Sequence, residues 1–110
     1  MGQWRCYGGW PLRGIVRIAI LRVVERSPVH GGEIRRILRD DLSIEVPRAV
    51  VYGLLRKLEG QGLLASTWET RRGPARRVYE VTEEGREYLK KALERLYELR
   101  NVIDKILDGG

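Results

Sequence analysis

Residues 47–81 read PRAVVYGLLRKLEGQGLLASTWETRRGPARRVYEV. Pro47 suits the first turn of a helix, where its missing N–H group would have no partner in any case. The apolar residues that follow recur three and four positions apart, which is the spacing of one buried helix face. They are Val51, Leu54, Leu55 and Leu58. Because Gly60 and Gly62 suit the end of a helix, the pattern predicts a helix over residues 47–59.

The residues after this helix favour two short strands, at 63–69 and 77–81, because they are rich in β-branched and aromatic side chains. Between the strands lies a basic turn, residues 70–77, that contains a Gly-Pro pair. Its arginines are Arg71, Arg72, Arg76 and Arg77. The segment therefore predicts a β-hairpin. We call its strongly basic tip, residues 70–77, the wing, and the two strands beside it the wing strands.

Two further helices are predicted before residue 47. Apolar residues at helical spacing indicate the first over residues 12–24, and Pro28 ends it because the residue before a proline is disfavoured in helical conformation. The second, short helix has Ile34, Ile37 and Leu38 on its inner face, and residues 40–46 form the turn. We expect His30 to hydrogen-bond the start of this helix. Three helices followed by a strand, a basic loop and a strand predict a winged helix-turn-helix.

The last predicted helix begins at Thr82, a good N-cap, and runs to Leu107. Its apolar residues follow a 3-4-3-4-3 spacing, which is a heptad seam. About 26 residues of helix would be about 39 Å long, more than a small three-helix core can cover. A second copy of the chain is the simplest cover. The predicted dimer contacts are Leu89, Leu96, Leu99, Ile103 and Ile106. The fold class is thus mostly α with a small β-wing, divided into a DNA-binding domain (1–81) and a dimerisation helix (82–110).

Charge is distributed unevenly along the 110 residues, whose formal net charge is +6. Residues 1–77 hold 15 Lys+Arg against 7 Asp+Glu, whereas residues 78–110 hold 6 against 8. A uniformly charged, solvated surface would not produce this asymmetry. It indicates a polyanionic partner, double-stranded DNA, for the first part of the chain.

Other classes of protein find little support in the sequence. One cysteine and one histidine provide no intrachain disulfide and too few ligands for a Cys/His metal site. No nucleophile has a credible base partner and no glycine loop could hold a phosphate, so we expect neither an enzyme nor a cofactor. The longest apolar run, residues 18–21, is far too short to cross a bilayer, and we expect a cytoplasmic protein without membrane contact.

Four blocks of the sequence resemble PadR-like transcriptional regulators. They are Ala-Ile-Leu at 19–21, Pro-Val-His-Gly at 28–31, VYGLLRKLEGQGLL at 51–64 and GPARRVYEVTEEGR at 73–86. The likeness covers about residues 12–95. In its short C-terminal region the chain is similar to the subfamily with a single dimerisation helix. It implies a homodimeric DNA-binding regulator that represses transcription. The chain departs from the family in having Gly32 where Tyr is common, and Pro-Arg-Ala-Val at 47–50 where Ser or Thr usually begins the recognition helix.

The candidate DNA contacts lie on three elements. The wing arginines are expected on flanking backbone or in the minor groove. Arg48, Tyr52 and Arg56 are four residues apart on one side of the recognition helix, where Arg48 could bind a guanine edge. For Tyr52, packing against the core is an equal alternative. Arg35, Arg36 and Arg39 of the second helix could hold backbone phosphates or be simply solvated.

Two other functions stay open at this point. The apolar pair Ala49-Val50 would suit an architectural nucleic-acid binder without sequence preference. Alternatively, the chain could be a sensor in which a small hydrophobic effector binds between the dimer halves. The effector pocket would use Trp4, Trp10, Trp68 and Tyr97.

Overall fold

The fold is known from a computed structural model, which describes residues 4–5, 12–71 and 73–109. The helices are α1 (Leu12–Arg26), α2 (Gly31–Leu42), α3 (Arg48–Gly60) and α4 (Glu83–Leu107). The strands are β1 (Trp4–Arg5), β2 (Val29–His30), β3 (Ile44–Glu45), β4 (Leu64–Glu69) and β5 (Arg76–Val81). The predicted fold class is confirmed: a mostly helical chain carries a small antiparallel hairpin and ends in a long helix.

The core lies where the first three helices meet the sheet. Each helix contributes the apolar face that its sequence spacing predicts, and the hairpin closes the core with Leu64 and Tyr79. The fully buried helix residues include Ile20, Leu21 and Val24 of α1, Ile34 and Leu38 of α2, and Val51, Leu55 and Leu58 of α3. Burial of these side chains stabilises the arrangement by about 1.5–3 kcal/mol for each large apolar residue.

The turn between α2 and α3 is more ordered than the sequence suggests. We predicted an irregular segment over residues 40–46, but α2 continues to Leu42 and ends at Ser43, which adopts a left-handed conformation with φ 57°. The next two residues form β3, which pairs in parallel with β1. The prediction of an irregular turn was therefore wrong for most of this segment. The pairing with β1 connects residues far apart in sequence, and two-residue strands carry no periodic signal.

The wing strands form the predicted hairpin, and a third strand joins them. β4 and β5 are antiparallel, with Leu64 opposite Val81 and Glu69 opposite Arg76. The third strand, β2, pairs with β5 and gives the order β2-β5-β4. Because β2 immediately precedes α2, this pairing fixes the base of the wing against the start of the second helix.

The first two turns of α4 belong to the core of the same chain. Thr82 is the N-cap, as predicted: its Oγ1 accepts a hydrogen bond from the Gly85 N–H at 3.0 Å. Gly85 and Leu89 are buried, and Leu89 is 0% exposed. Leu89 therefore packs inside its own protomer and does not face a partner, contrary to its assignment as a dimer contact. Leu89 lies on the part of α4 that packs on the core. The heptad spacing alone does not show whether a residue contacts its own protomer or a second copy.

Farther along, α4 leaves the core and its apolar side chains are open to solvent. Leu96 is half-buried, whereas Leu99 and Ile103 are each 43% exposed and Ile106 is 70% exposed.

The division of the chain at residues 81 and 82 stays a prediction. Within the described part of the chain, no helix is long and apolar enough to cross a membrane.

The close approach of α4 to the turn after α3 gives a test of the fold. A Cβ at Gly85 would lie 2.1 Å from the Leu63 carbonyl oxygen, so Gly85→Ala must displace backbone. We expect it to lower the free energy of unfolding by about 1–3 kcal/mol. Gly14→Ala is the matched control, because no atom of the residues that the structure describes lies within 4 Å of its Cβ. The control should leave stability unchanged or raise it by up to about 1 kcal/mol. Denaturant unfolding at one protein concentration measures both, and equal stability of the two variants would contradict the described junction.

Candidate nucleic-acid interface

Arg48 and Tyr52 form one unit at the N-terminal end of α3. The Arg48 guanidinium lies over the Tyr52 ring, 5.5 Å from its centroid. The ring is half-buried and packs against the core, and Gly31 is so close that a Cβ there would lie 2.6 Å from Tyr52 Cε1. The packing alternative for Tyr52 is thus observed, while Arg48 stays exposed. The half-buried ring of Tyr52 thus holds the Arg48 guanidinium at the N-terminal end of α3.

His30 caps the start of α2, as the sequence predicts. Its Nδ1 accepts a hydrogen bond from the Glu33 N–H at 3.3 Å. The other ring nitrogen, Nε2, lies 3.2 Å from Nη1 of Arg76 at the base of the wing. This contact places a wing arginine beside the first turn of α2.

A second set of contacts ties the wing to the end of α3. Arg77 Nε donates to Ser66 Oγ at 2.8 Å, and Ser66 Oγ donates to Glu59 Oε2 at 2.7 Å. The Arg77 guanidinium also lies over the Trp68 ring, 5.2 Å from its centroid. Arg77 is therefore a positioning residue for the wing in the free protein, although part of its side chain remains exposed.

These contacts create one concave cleft, with a volume of about 790 Å³, between α3, the start of α2 and the wing. We call it the basic cleft. Its lining includes Arg48, Tyr52 and Arg56 of α3, together with Arg76, Arg77 and Trp68 of the wing strands. Glu59 is the one carboxylate among the residues that line it. Arg48 and Arg56 of α3 thus lie on one face with Arg76 and Arg77, which are at least 20 residues away in sequence, whereas Arg71 lines a separate depression beside Thr67, Glu69 and Val78.

The arginines of α2 are engaged elsewhere in the protein. Arg35 Nε donates to the Val46 carbonyl at 3.1 Å and so stabilises the turn before α3. Arg36 pairs with Glu33, and this contact lowers the pKa of the Glu33 carboxyl below its ordinary value. Arg39 pairs with Asp40 at 2.9 Å. A DNA phosphate would therefore compete with an intramolecular acceptor for each of these three arginines.

The remaining candidates divide between the wing tip, α4 and undescribed positions. Arg71 is exposed beside the wing tip, whereas Arg72 lies outside the described residues. Trp10 and the side chain of Trp4 are also outside them. Trp68 is 62% exposed and lines the basic cleft. Tyr97, 59% exposed on α4, is not among the residues that line this cleft.

The sequence did not indicate the contacts of Glu59, Ser66 and Arg76 that shape the cleft. Arg76 and His30 are 46 positions apart, and no local pattern connects them. A strand register would have helped: Ser66 is opposite Tyr79 and Arg77 is opposite Trp68, which brings Arg77 and Ser66 near each other along β4 and β5. That register follows from the hairpin only once the turn length is known.

Three helices with a basic wing beside the third define the class of winged helix-turn-helix DNA-binding proteins. Comparison with known proteins narrows the class. The model of the transcriptional regulator PadR-like family matches residues 20–91. The chain therefore belongs to the PadR-like family of DNA-binding transcriptional regulators, and the resemblance found in the sequence is confirmed.

Individual relatives agree with this assignment. The transcriptional regulator Rv3488 of Mycobacterium tuberculosis is 37% identical over 87 residues, which are 76% of this chain and 80% of that protein. The crystal structure of a PadR family transcriptional regulator from Eggerthella lenta is 31% identical, with a TM-score of 0.78, over 89% of this chain and 86% of that one. A PadR-like regulator from Bacillus cereus shares the fold at a TM-score of 0.82 and 23% identity, over 93% of this chain and 100% of that one.

The contact between Gly31 and Tyr52 gives a test of how Arg48 is held. Gly31→Ala should push the Tyr52 ring away and remove it from beneath the Arg48 guanidinium. The ring-current shift of the Arg48 side-chain protons, measured by NMR, should then be lost. Gly32→Ala is the matched control, because its Cβ would make only ordinary contacts at 3.5 Å with His30. An unchanged Arg48 spectrum in Gly31→Ala would show that Tyr52 does not position Arg48.

Proposed function

We propose that this protein acts as a homodimer that binds a two-fold symmetric operator and represses transcription. In this account α3, the predicted recognition helix of residues 47–59, enters the major groove. The wing, residues 70–77, lies on flanking backbone or in the minor groove. The observation that carries the proposal is the basic cleft, because it brings Arg48 and Arg56 of α3 and Arg76 and Arg77 of the hairpin to one concave face.

The chemistry of the cleft suits a double helix. Guanidinium groups bind phosphates through paired N–H donors. Arg48 and Arg56 line the side of α3 toward the wing, and Arg76 extends the positive charge to the wing. Arg48 lies at the N-terminal end, by which recognition helices commonly contact base edges. We therefore assign base contact to Arg48 and backbone contact to Arg56, Arg71, Arg72 and Arg76. Tyr52 and Arg77 hold these groups in place.

The exposed half of α4 supports a dimer. Its large aliphatic residues beyond Leu96 lie along one side of the helix and are exposed in the described protomer. Exposed apolar surface of this extent indicates an interface. We assign Leu96, Leu99, Ile103 and Ile106 to that interface. A two-fold dimer would place the two α3 helices in adjacent major grooves about one helical turn apart.

Two alternatives follow from particular observations. Exposed Ala49 and Val50 on α3 would suit an architectural binder that lacks sequence preference. Exposed Tyr97 on α4 would suit a small hydrophobic effector bound between dimer halves, with Arg100 lying 5.0 Å from the centroid of its ring. Affinity for selected against scrambled duplex separates the first alternative from the proposal. Fluorescence quenching by hydrophobic compounds, with Trp68 and Tyr97 changed in turn, tests the second.

Charges placed on the α4 interface should dissociate the dimer. Leu99 and Ile103 are exposed in the protomer, so Leu99→Asp with Ile103→Asp should leave the core intact and bring two pairs of carboxylates together. We expect folded monomers by light scattering and circular dichroism. The control is Asn101→Asp with Lys105→Gln, which changes the net charge equally on the opposite side of α4. A folded dimer in the first variant would exclude this seam as the interface.

The number of phosphate contacts can be measured from the dependence of affinity on salt. Four to five Lys or Arg on phosphates in each subunit predict a log–log slope of about −7 to −9, because each contact contributes roughly 0.9. Fluorescence anisotropy on one duplex at several salt concentrations gives the slope. A slope near −2 would exclude the basic cleft as the footprint.

Base contact and backbone contact should respond differently to mutation. Arg48→Ala should weaken the best site by about 1–3 kcal/mol and narrow its difference from random duplex. Arg71→Ala should weaken all duplexes alike and flatten the salt slope by about one unit for each subunit. Both variants are measured on matched and scrambled duplexes at two salt concentrations. Equal losses on both duplexes for Arg48→Ala would favour the architectural alternative.

A further inference from the structure

The outer side of α3 has an unusual composition for a surface that faces a polyanion. Val51, Leu55 and Leu58 define the buried side of the helix. Since each residue turns the helix by about 100°, Gly53 lies directly opposite Val51 and Leu55. Ala49 and Val50 lie one turn before it, and both are exposed. We call Ala49, Val50 and Gly53 the apolar strip.

Nothing in the described part of the chain requires glycine at position 53. A Cβ there would have no atom within 4 Å, and the backbone of Gly53 is helical without a positive φ. Glycine in a helix interior lowers stability relative to alanine, because it loses more backbone freedom on folding. The fold therefore gains nothing from this residue. A molecule that approaches α3 from outside would gain room for close contact with the helix backbone.

Val50 adds an independent indication at the same place. Its apolar side chain is 36% exposed, on the outward side of the helix next to the likewise exposed Ala49. Arg56 and Lys57 follow Gly53 by one turn on the same outer side and are both exposed. Cations that hold phosphates would thus lie next to a strip that has no hydrogen-bonding side chain.

The major groove offers one apolar group to such a strip. Thymine carries a methyl group at C5, and small apolar side chains contact it, whereas the major-groove edge of a G·C pair has no methyl group and presents only donors and acceptors. We propose that the apolar strip recognises thymine methyl groups, so that T·A pairs lie against the N-terminal half of α3. This inference rests on the proposed function, in which α3 occupies the major groove.

Replacing thymine by uracil tests the contact, because it removes only the methyl group. The probe is a duplex that the full-length protein recovers from a random-sequence pool, prepared with thymine and with uracil at one position at a time. Each contacted methyl should contribute about fourfold in affinity, the equivalent of roughly 0.8 kcal/mol. Val50→Ser should bring the thymine-to-uracil ratio at its position close to one. Arg71→Ala should bind more weakly but keep the full ratio.

Gly53→Ala separates folding from binding. The variant should unfold at a higher temperature than the wild type, because alanine favours the helix and its Cβ lies within 4 Å of no atom of the described residues. Its affinity for the selected duplex should nevertheless fall at least tenfold, because the methyl group holds α3 away from the bases. A Gly53→Ala variant that binds as tightly as the wild type would overturn the close approach.

The remaining outcomes distinguish the two levels of the proposal. Equal affinity of the wild type for all thymine and uracil duplexes, with a steep salt dependence retained, would overturn methyl recognition and leave the proposed function standing. Absence of salt-dependent binding to any duplex would overturn both.

Discussion

The first turn of α4 lies directly on the carbonyl groups that end the turn after α3. Thr82 Oγ1 donates to the Gly62 carbonyl at 2.6 Å, and the Thr82 N–H donates to the Leu63 carbonyl at 3.2 Å. Only glycine fits at position 85, because any Cβ would collide with the same Leu63 carbonyl. This junction joins α3, the wing strands and α4 at one point. The position of α4 relative to α3, on which any dimer geometry depends, is therefore fixed by backbone contact.

The basic cleft is organised around the wing strands. β2 holds one side of β5 and β4 holds the other, so that the base of the wing touches both the cap of α2 and the end of α3. Through these contacts Arg76 and Arg77 are placed beside α3 in the free protein. If DNA binds in this cleft, its preformed side chains reduce the conformational entropy that is lost on binding. Tyr52, packed on Gly31, does the same for Arg48.

Local patterns were sufficient to predict much of this structure. Helical spacing predicted α1, α3 and α4, and Thr82 and His30 were identified as residues that bond the first turns of their helices. The basic hairpin followed from β-branched residues around a Gly-Pro turn. What these features share is that the deciding residues lie within one or two turns of each other. The family resemblance then supplied the function that the fold alone leaves open.

Features that depend on distant residues were not predicted. β1, β2 and β3 are two residues long and exist through their partners, so no periodicity reveals them. The predicted heptad seam wrongly included Leu89. The same spacing continues from the end of α4 that packs in the core to the end that is exposed to solvent. The contact of Arg77 with Ser66 and Glu59 depends on strand register, which composition does not determine.

The central claim is that two copies bind one duplex with their α3 helices in successive major grooves. Footprinting of a bound genomic fragment tests it, with methylation of guanine N7 reporting the major groove and hydroxyl-radical cleavage reporting the backbone. The account predicts two protected major-groove segments related by a two-fold axis, with centres about 10 base pairs apart, and backbone protection outside each from the wings. Protection that is continuous, or that lacks two-fold symmetry, would contradict it.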